Sequence, residues 1–267
     1  MDNYQTLKIE RDNGCVTVTL NRPEARNAMN RRMVEELRQL VGQLNEELET
    51  RLIILRGAGG HFCAGGDIAD MSKVRAEREE NQRAMVAMNR EFGHMIHDFD
   101  NSSKTVIAAL EGAVLGGGFG LACVADVALV TADARLGMPE TTLGLPPAQI
   151  IPFVVERIGL SQAKRLALTG HRFDGREAVA LGLAHHLCAD SDELDARLAE
   201  VRAQVLRCAP LACEITKQLL LATRDTPTDK LLDQAAEAFG DAVDGPEAME
   251  GLTAFIQKRD PEWANTQ

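Results

Sequence analysis

The sequence predicts an α/β fold in which strand, glycine turn and helix recur, followed by a helical tail. Three observations predict it. Two apolar runs, Leu52-Ile-Ile-Leu55 and Thr105-Val-Ile-Ala-Ala-Leu110, have the length and β-branching of buried strands. Each runs into a glycine-rich turn, Gly57 to Gly66 in the first case and Gly116 to Gly120 in the second, and each turn is followed by a helix-forming stretch. From Asp190 on, the pattern is helical to the end.

In chain order, Leu7–Arg11 and Cys15–Leu20 flank Asp12-Asn-Gly14, a strong hairpin signal. After the turn Asn21–Asn27, Asn30 is placed to cap a helix whose Met33, Leu37, Leu40, Val41, Leu44 and Leu48 share one face. Leu52–Leu55 is the next strand, and a helix is expected from near Asp67. Residues 77–98 read as a charged helix of mixed face, with Met85, Val86, Met88, Phe92, Met95 and Ile96 as its apolar residues, that could cover a site; its methionines suit an apolar ligand, but methionine on a helix is more often ordinary core. His94 and His97 stand at i, i+3 with no third ligand within reach, which favours solvated or capping histidines over a metal site. Val127–Thr131 is a strand, and 134–149 a proline-stiffened loop that holds Glu140. Helices then run over 150–158, over 161–169 with Ser161 as cap, and over 175–181 with Asp174 as cap, before a last short strand at 183–188.

The composition is that of a globular chain with an ample core, and the formal net charge of -11 repels nucleic acid and anionic membrane in bulk. The six cysteines form no Cys-x-x-Cys pair and no zinc spacing, so reduced thiols in a cytoplasmic protein are expected. Neither an export signal nor a membrane-length apolar run is present in the 267 residues.

The glycine turns carry the chemistry. At a helix start the backbone N–H groups are unpaired and carry the positive end of the macrodipole, and glycine leaves no Cβ to keep a ligand away. A dinucleotide fingerprint fails because Leu121 stands where its third glycine belongs, and no Gly-Lys-Ser/Thr follows for a phosphate loop. One such turn could serve packing alone. Two equivalent turns in successive strand–turn–helix units are what a two-donor oxyanion hole requires. Glu140, set between prolines and apolar residues, is a candidate acid/base whose desolvation would raise its pKa.

Phe62-Cys-Ala-Gly-Gly-Asp-Ile68, Ala113-Val-Leu-Gly-Gly-Gly-Phe-Gly120, Ala134-Arg-Leu-Gly-Met-Pro-Glu140 and Glu250-Gly-Leu-Thr-Ala-Phe-Ile-Gln-Lys-Arg259 resemble, in order and spacing, the signatures of the enoyl-CoA hydratase/isomerase (crotonase) family. The resemblance implies a crotonase spiral of β-β-α units over 1–195, a C-terminal helical trimerisation region over 196–267, and a coenzyme A thioester as substrate with no separate cofactor or metal. By position it makes Gly66 and Gly117 the two backbone donors to the thioester oxygen. It places Ala25, Ala64, Asp67 and Ile68 at coenzyme A contacts, with Phe239 and Lys258 reaching the coenzyme A of a neighbouring subunit in a homotrimer or a dimer of trimers. Glu140 matches one of the two family glutamates that manage water and proton, whereas the other position is Gly120.

Residues 113–126 together with 139–155 resemble, within that family, the isohexenylglutaconyl-CoA and methylglutaconyl-CoA hydratases, which implies a branched, carboxylated acyl chain. On that reading Gly120 makes room for the branch, and Arg75, Arg78, Arg83 or Arg90 could meet the carboxylate. Three functions stay open. The first is an enoyl-CoA hydratase with Glu140 as acid/base, and the second a double-bond isomerase with Glu140 as the single shuttling base. The third is a non-catalytic acyl-CoA or RNA binding protein, of which the RNA form sits poorly with the net charge.

Overall fold

The computed structural model describes residues 4–76 and 82–264. Strands β1 (Leu7–Asp12) and β2 (Cys15–Leu20) pair antiparallel around Asn13 and Gly14, whose φ of 47° and 73° twist the hairpin in the sense its strands require. Helix α1 (Arg31–Glu46) starts where expected: the Asn30 side chain accepts the Met33 N–H at 2.9 Å. Its face Met33, Leu37, Leu40, Val41 and Leu44 is buried, but Leu48 lies beyond the helix end and is 94% exposed. Periodicity counts a residue that the chain has already turned away.

Next come β3 (Leu52–Gly57), α2 (Ile68–Ala76), α3 (Ala84–Asp100), β4 (Thr105–Leu110), β5 (Ala113–Leu115), α4 (Gly117–Cys123), β6 (Val127–Thr131) and β7 (Arg135–Gly137). They are followed by α5 (Ile151–Thr169), β8 (Arg172–Phe173), α6 (Gly175–Ala180) and β9 (His186–Cys188). Helix α5 is broken at Gly159 (φ 75°, ψ 154°), which matches the two expected segments, although no Ser161 cap separates them. The larger sheet runs β1-β2-β3-β4-β6-β9, parallel from β2 onward, and the smaller runs β5-β7-β8. A bridge between Cys63 and Val114 adds the first glycine turn to the smaller layer. From β3 on the chain thus spirals, the turns that begin with β3, β4 and β6 each leaving a segment in both layers before a helix.

Alternation along the buried strands separates two cores. Ile53 and Leu55 join Val106, Ala108 and Leu110 in the cluster under α1 and α3, whereas Leu52 and Ile54 join Ile107, Ala109 and Leu129 on the opposite face. Helix α7 (Ser191–Leu206), capped by Asp190, covers that second face with Leu194, Leu198 and Val201. The division expected after residue 195 therefore falls inside a helix that packs on the sheet. Beyond it, α8 (Pro210–Ala222), α9 (Thr228–Val243) and α10 (Pro246–Gln257) form the tail. Lys217 ties α8 to the sheet, donating to Asp126 Oδ2 at 2.7 Å and to the Lys104 carbonyl at 2.9 Å. Helix α9 buries none of its residues.

Candidate active site

The two glycine turns meet. Gly65 and Gly116 have φ of 100° and 51°, values that reverse the peptide just before Gly66 and Gly117 and that a side chain would strain. A Cβ built on Gly65 would lie 3.1 Å from the Leu115 carbonyl oxygen and 3.7 Å from Gly116 Cα, so the two backbones touch.

Each turn leaves a backbone N–H outside the local ladder. Met29 N–H donates to Gly65 O at 2.8 Å and Asp67 N–H to Met29 O at 3.0 Å, so in this parallel bridge the intervening Gly66 directs its own N–H away from Met29. Gly117 is the first residue of α4, and the helix's first turn closes only at Gly120, whose N–H donates to Gly116 O at 3.0 Å. The Gly117 N–H thus precedes the intrahelical ladder. The second turn is braced by His61, whose Nδ1 accepts the Ala113 N–H at 3.1 Å.

Glu140 stands over the second turn. Its Oε1 would be 2.6 Å from a Cβ on Gly116, and its Oε2 is buried with no hydrogen-bond partner among the described residues. Burial raises its pKa above the ordinary carboxylate value, and its own backbone N–H offsets this only in part. The loop expected from the prolines holds it: Pro139–Leu143 forms a 3-10 turn, Leu145 N–H returns to the Glu140 carbonyl at 3.1 Å, and Thr141 Oγ1 donates to the Ala167 carbonyl at 2.8 Å.

Three side chains that sequence reasoning did not assign to the site close around it. Met71 Cε lies 2.4 Å from the position of a Cβ on Gly66, and the Phe92 ring 2.7 Å from that of Gly117. Ile150 Cγ2 lies 2.2 Å from that of Gly120. The space at Gly120, expected to make room for a branched acyl chain, is therefore filled from within the protein. Phe92 was legible as a residue of a covering helix, but no local signal singles out Met71 or Ile150.

The remaining expected residues fall into two groups. The Ala64 N–H donates to the Arg26 carbonyl at 3.0 Å, which sets Ala25, in the 3-10 turn Pro23–Ala25, beside the first glycine turn. Asp67 caps α2, its Oδ1 accepting the Ala69 and Asp70 N–H groups at 2.9 and 3.1 Å, and it pairs with Arg22 at 2.8 Å. Burial opposes ionisation of Asp67, but Arg22 and those backbone donors outweigh it and hold its pKa below the usual value. Ile68 is exposed just after it. Phe239, 72% exposed on α9, and Lys258, with a φ of 54° at the end of α10, lie on the tail. Arg75, Arg83 and Arg90 are exposed, and Arg78 lies outside the described residues. Among the described residues no group of His, Cys, Asp and Glu is placed to hold a metal, and no helix is long and apolar enough to cross a membrane.

The family description enoyl-CoA hydratase/isomerase matches residues 10–266. This chain belongs to the enoyl-CoA hydratase/isomerase family, and its spiral is the crotonase fold. The solved structure of Pseudomonas aeruginosa AtuE is 52% identical with a TM-score of 0.95, over 98% of this chain and 100% of that one. An enoyl-CoA hydratase/isomerase from Marinobacter aquaeolei is 48% identical with a TM-score of 0.94, at the same coverage. The human enoyl-CoA hydratase domain-containing protein 2, mitochondrial, is 34% identical over 94% of this chain and 86% of its own.

Proposed function

We propose that the chain is an enoyl-CoA hydratase in which Glu140 works as the one acid/base group. The observation that carries this reading is the buried Glu140 Oε2, which has no hydrogen-bond partner among the described residues, beside the turn that holds Gly117. A thioester oxygen held by the Gly66 and Gly117 N–H groups meets two fixed donors that strengthen as it becomes an enolate oxygen. Glu140 takes a proton from water as the water oxygen bonds to the β-carbon and the double-bond electrons move to the thioester oxygen. The enolate then collapses to the carbonyl as Glu140 returns a proton to the α-carbon. Atoms balance with one carboxylate because acceptance and delivery are successive. Ala25, Ala64, Asp67 and Ile68, beside the first turn, would receive the coenzyme A.

The same residues serve a second reading. A carboxylate that moves a proton between the γ- and α-carbons through the same enolate is a double-bond isomerase, and a relative from Arabidopsis thaliana at 30% identity over 99% of both chains is a Delta(3,5)-Delta(2,4)-dienoyl-CoA isomerase. A branched, carboxylated substrate draws support from the mouse methylglutaconyl-CoA hydratase, mitochondrial, at 29% identity over 98% of this chain and 83% of its own. Self-association into a trimer or a pair of trimers would cover Leu232 and Phe239 on α9 and Leu252, Phe255 and Ile256 on α10, all of them exposed. Phe239 and Lys258 could then meet a neighbour's coenzyme A, and light scattering of the purified chain tests the assembly.

The decisive experiment incubates the protein with straight, methyl-branched and glutaconyl-type enoyl-CoA thioesters in heavy-oxygen water and weighs the products. One labelled water gained establishes hydration. A product of unchanged mass with a moved double bond establishes isomerisation. No conversion of any member favours acyl-CoA binding without chemistry.

A further inference from the structure

The turn Pro146–Ile150 is more constrained than a connection between Glu140 and α5 requires. Ala148 holds a φ of 36°, in the left-handed region that a residue with a Cβ seldom adopts, and such strain persists only where the surroundings impose it. The surroundings are Gln149 and α3. The Gln149 Nε2 donates to Asn89 Oδ1 at 3.0 Å, its Oε1 accepts from Arg90 Nη1 at 3.3 Å, and that Oε1 sits so near Gly93 that a Cβ there would be 2.1 Å from it. Pinned in this way, the turn drives Ile150 onto Gly120, where an added Cβ would lie 2.2 Å from Ile150 Cγ2 and 2.8 Å from Ile150 Cβ. Ile150 is 1% exposed.

Gly117 and Gly120 stand three apart and share a face of α4, and Gly116 is the residue that leads into the helix. Along that face stand the Phe92 ring at Gly117 and the Ile150 side chain at Gly120, and the Glu140 carboxyl stands at Gly116 where the helix begins. An acyl group whose oxygen is held at Gly117 has its reacting carbons beside Glu140, and the rest of its chain has to pass this apolar wall.

We propose that Ile150 is a specificity-determining residue that closes the acyl pocket against α4, with Gln149 as the residue that positions it. This rests on the acyl-CoA reading above. A glycine at 120 then widens nothing by itself; the bulk admitted is set by the side chain delivered from the pinned turn.

The test measures kcat/KM for wild type, Ile150→Val, Ile150→Ala and Gln149→Ala on enoyl-CoA thioesters of rising acyl bulk, with thermal melts to confirm folding. Ile150→Ala is expected to raise the ratio of bulky to small substrate at least about tenfold, the scale of one or two methylenes in an apolar pocket. Ile150→Val falls between, and Gln149→Ala moves the ratio in the same direction. A ratio unchanged in folded Ile150→Ala overturns the proposal, and if that variant does not fold, an unchanged ratio in Ile150→Val does so. If wild type converts no thioester, the enzymatic reading has failed. The ratio is then taken from Kd values of saturated acyl-CoAs by calorimetry, and an unchanged ratio there overturns the specificity role independently.

Discussion

The first and second glycine turns were drawn from the same design, a strand end, a run of glycines and a helix start, yet they are built to different tolerances. Over the first, Gly66 faces the terminal methyl of Met71, the far end of a flexible side chain. Over the second, Gly117 faces the Phe92 ring, Gly118 faces Cys63 Cβ and its carbonyl oxygen at 2.6 and 2.7 Å, and Gly120 faces Ile150 Cβ. Gly66 can take a side chain if Met71 yields, whereas Gly118 and Gly120 face atoms that cannot move aside as easily. The difference sets the two glycine positions apart: the desolvated Glu140 carboxyl stands over the close-packed second turn, while beside Gly66 the chain is fastened by a largely buried ion pair between Arg22 and Asp67.

The largest effect should come from Glu140, the proposed acid/base group over the second turn. Glu140→Gln should lower kcat by about 10²- to 10⁴-fold, the range of general acid/base catalysis, while the variant folds. The same residue gives a pH signature. Because the folded-state pKa is raised, the folded chain binds more protons than the unfolded one between the ordinary carboxylate value and the raised one, so stability falls as pH rises through that window. Glu140→Gln should therefore melt higher than wild type above the raised pKa and equal to it below the ordinary one. In activity, the ionised base is lost as pH falls, so the acidic limb of kcat/KM should lie above the ordinary carboxylate range and vanish in the variant. A melting difference that grows toward low pH would break this account.

Next in size is Gly120→Glu, which forces a side chain into Ile150 and should cost about 1–3 kcal/mol as overpacking, read by denaturant melts. Adding Ile150→Ala should restore part of that loss. Smaller again is Asp67→Ala on the first turn, expected at about 1 kcal/mol for a lost helix cap. Asp67 also has its own pH sense. Its pKa is depressed, so its contribution is present above the ordinary aspartate value and is lost as pH falls toward the depressed one. The smallest effect is Gly66→Ala, expected to stay within about 1 kcal/mol because Met71 can swing its methyl aside. If Gly66→Ala proves as damaging as Gly120→Glu, the two turns are equally rigid and the comparison fails.

Much of this protein was determined by its sequence alone, wherever the cause is local. The hairpin follows from Asn13 and Gly14, the start of α1 from Asn30, the start of α6 from Asp174, and β4 from an unbroken apolar run ending where the chain must turn. The meeting of the glycine turns was legible because two like units in a parallel sheet leave their turns at the same edge, and the desolvation of Glu140 because prolines and apolar neighbours flank it. Only the tertiary structure decided what fills the spaces those units leave. Ile150 reaches Gly120 across thirty positions of chain, Met71 and Phe92 reach Gly66 and Gly117 from different helices, and α7 joins the core through contacts to strands far away in sequence. Leu48 and Phe239 carry the same lesson in reverse, both apolar and both exposed within the chain. Periodicity and capping act over a few residues, and a close-packed interior settles at long range which side chain occupies each volume.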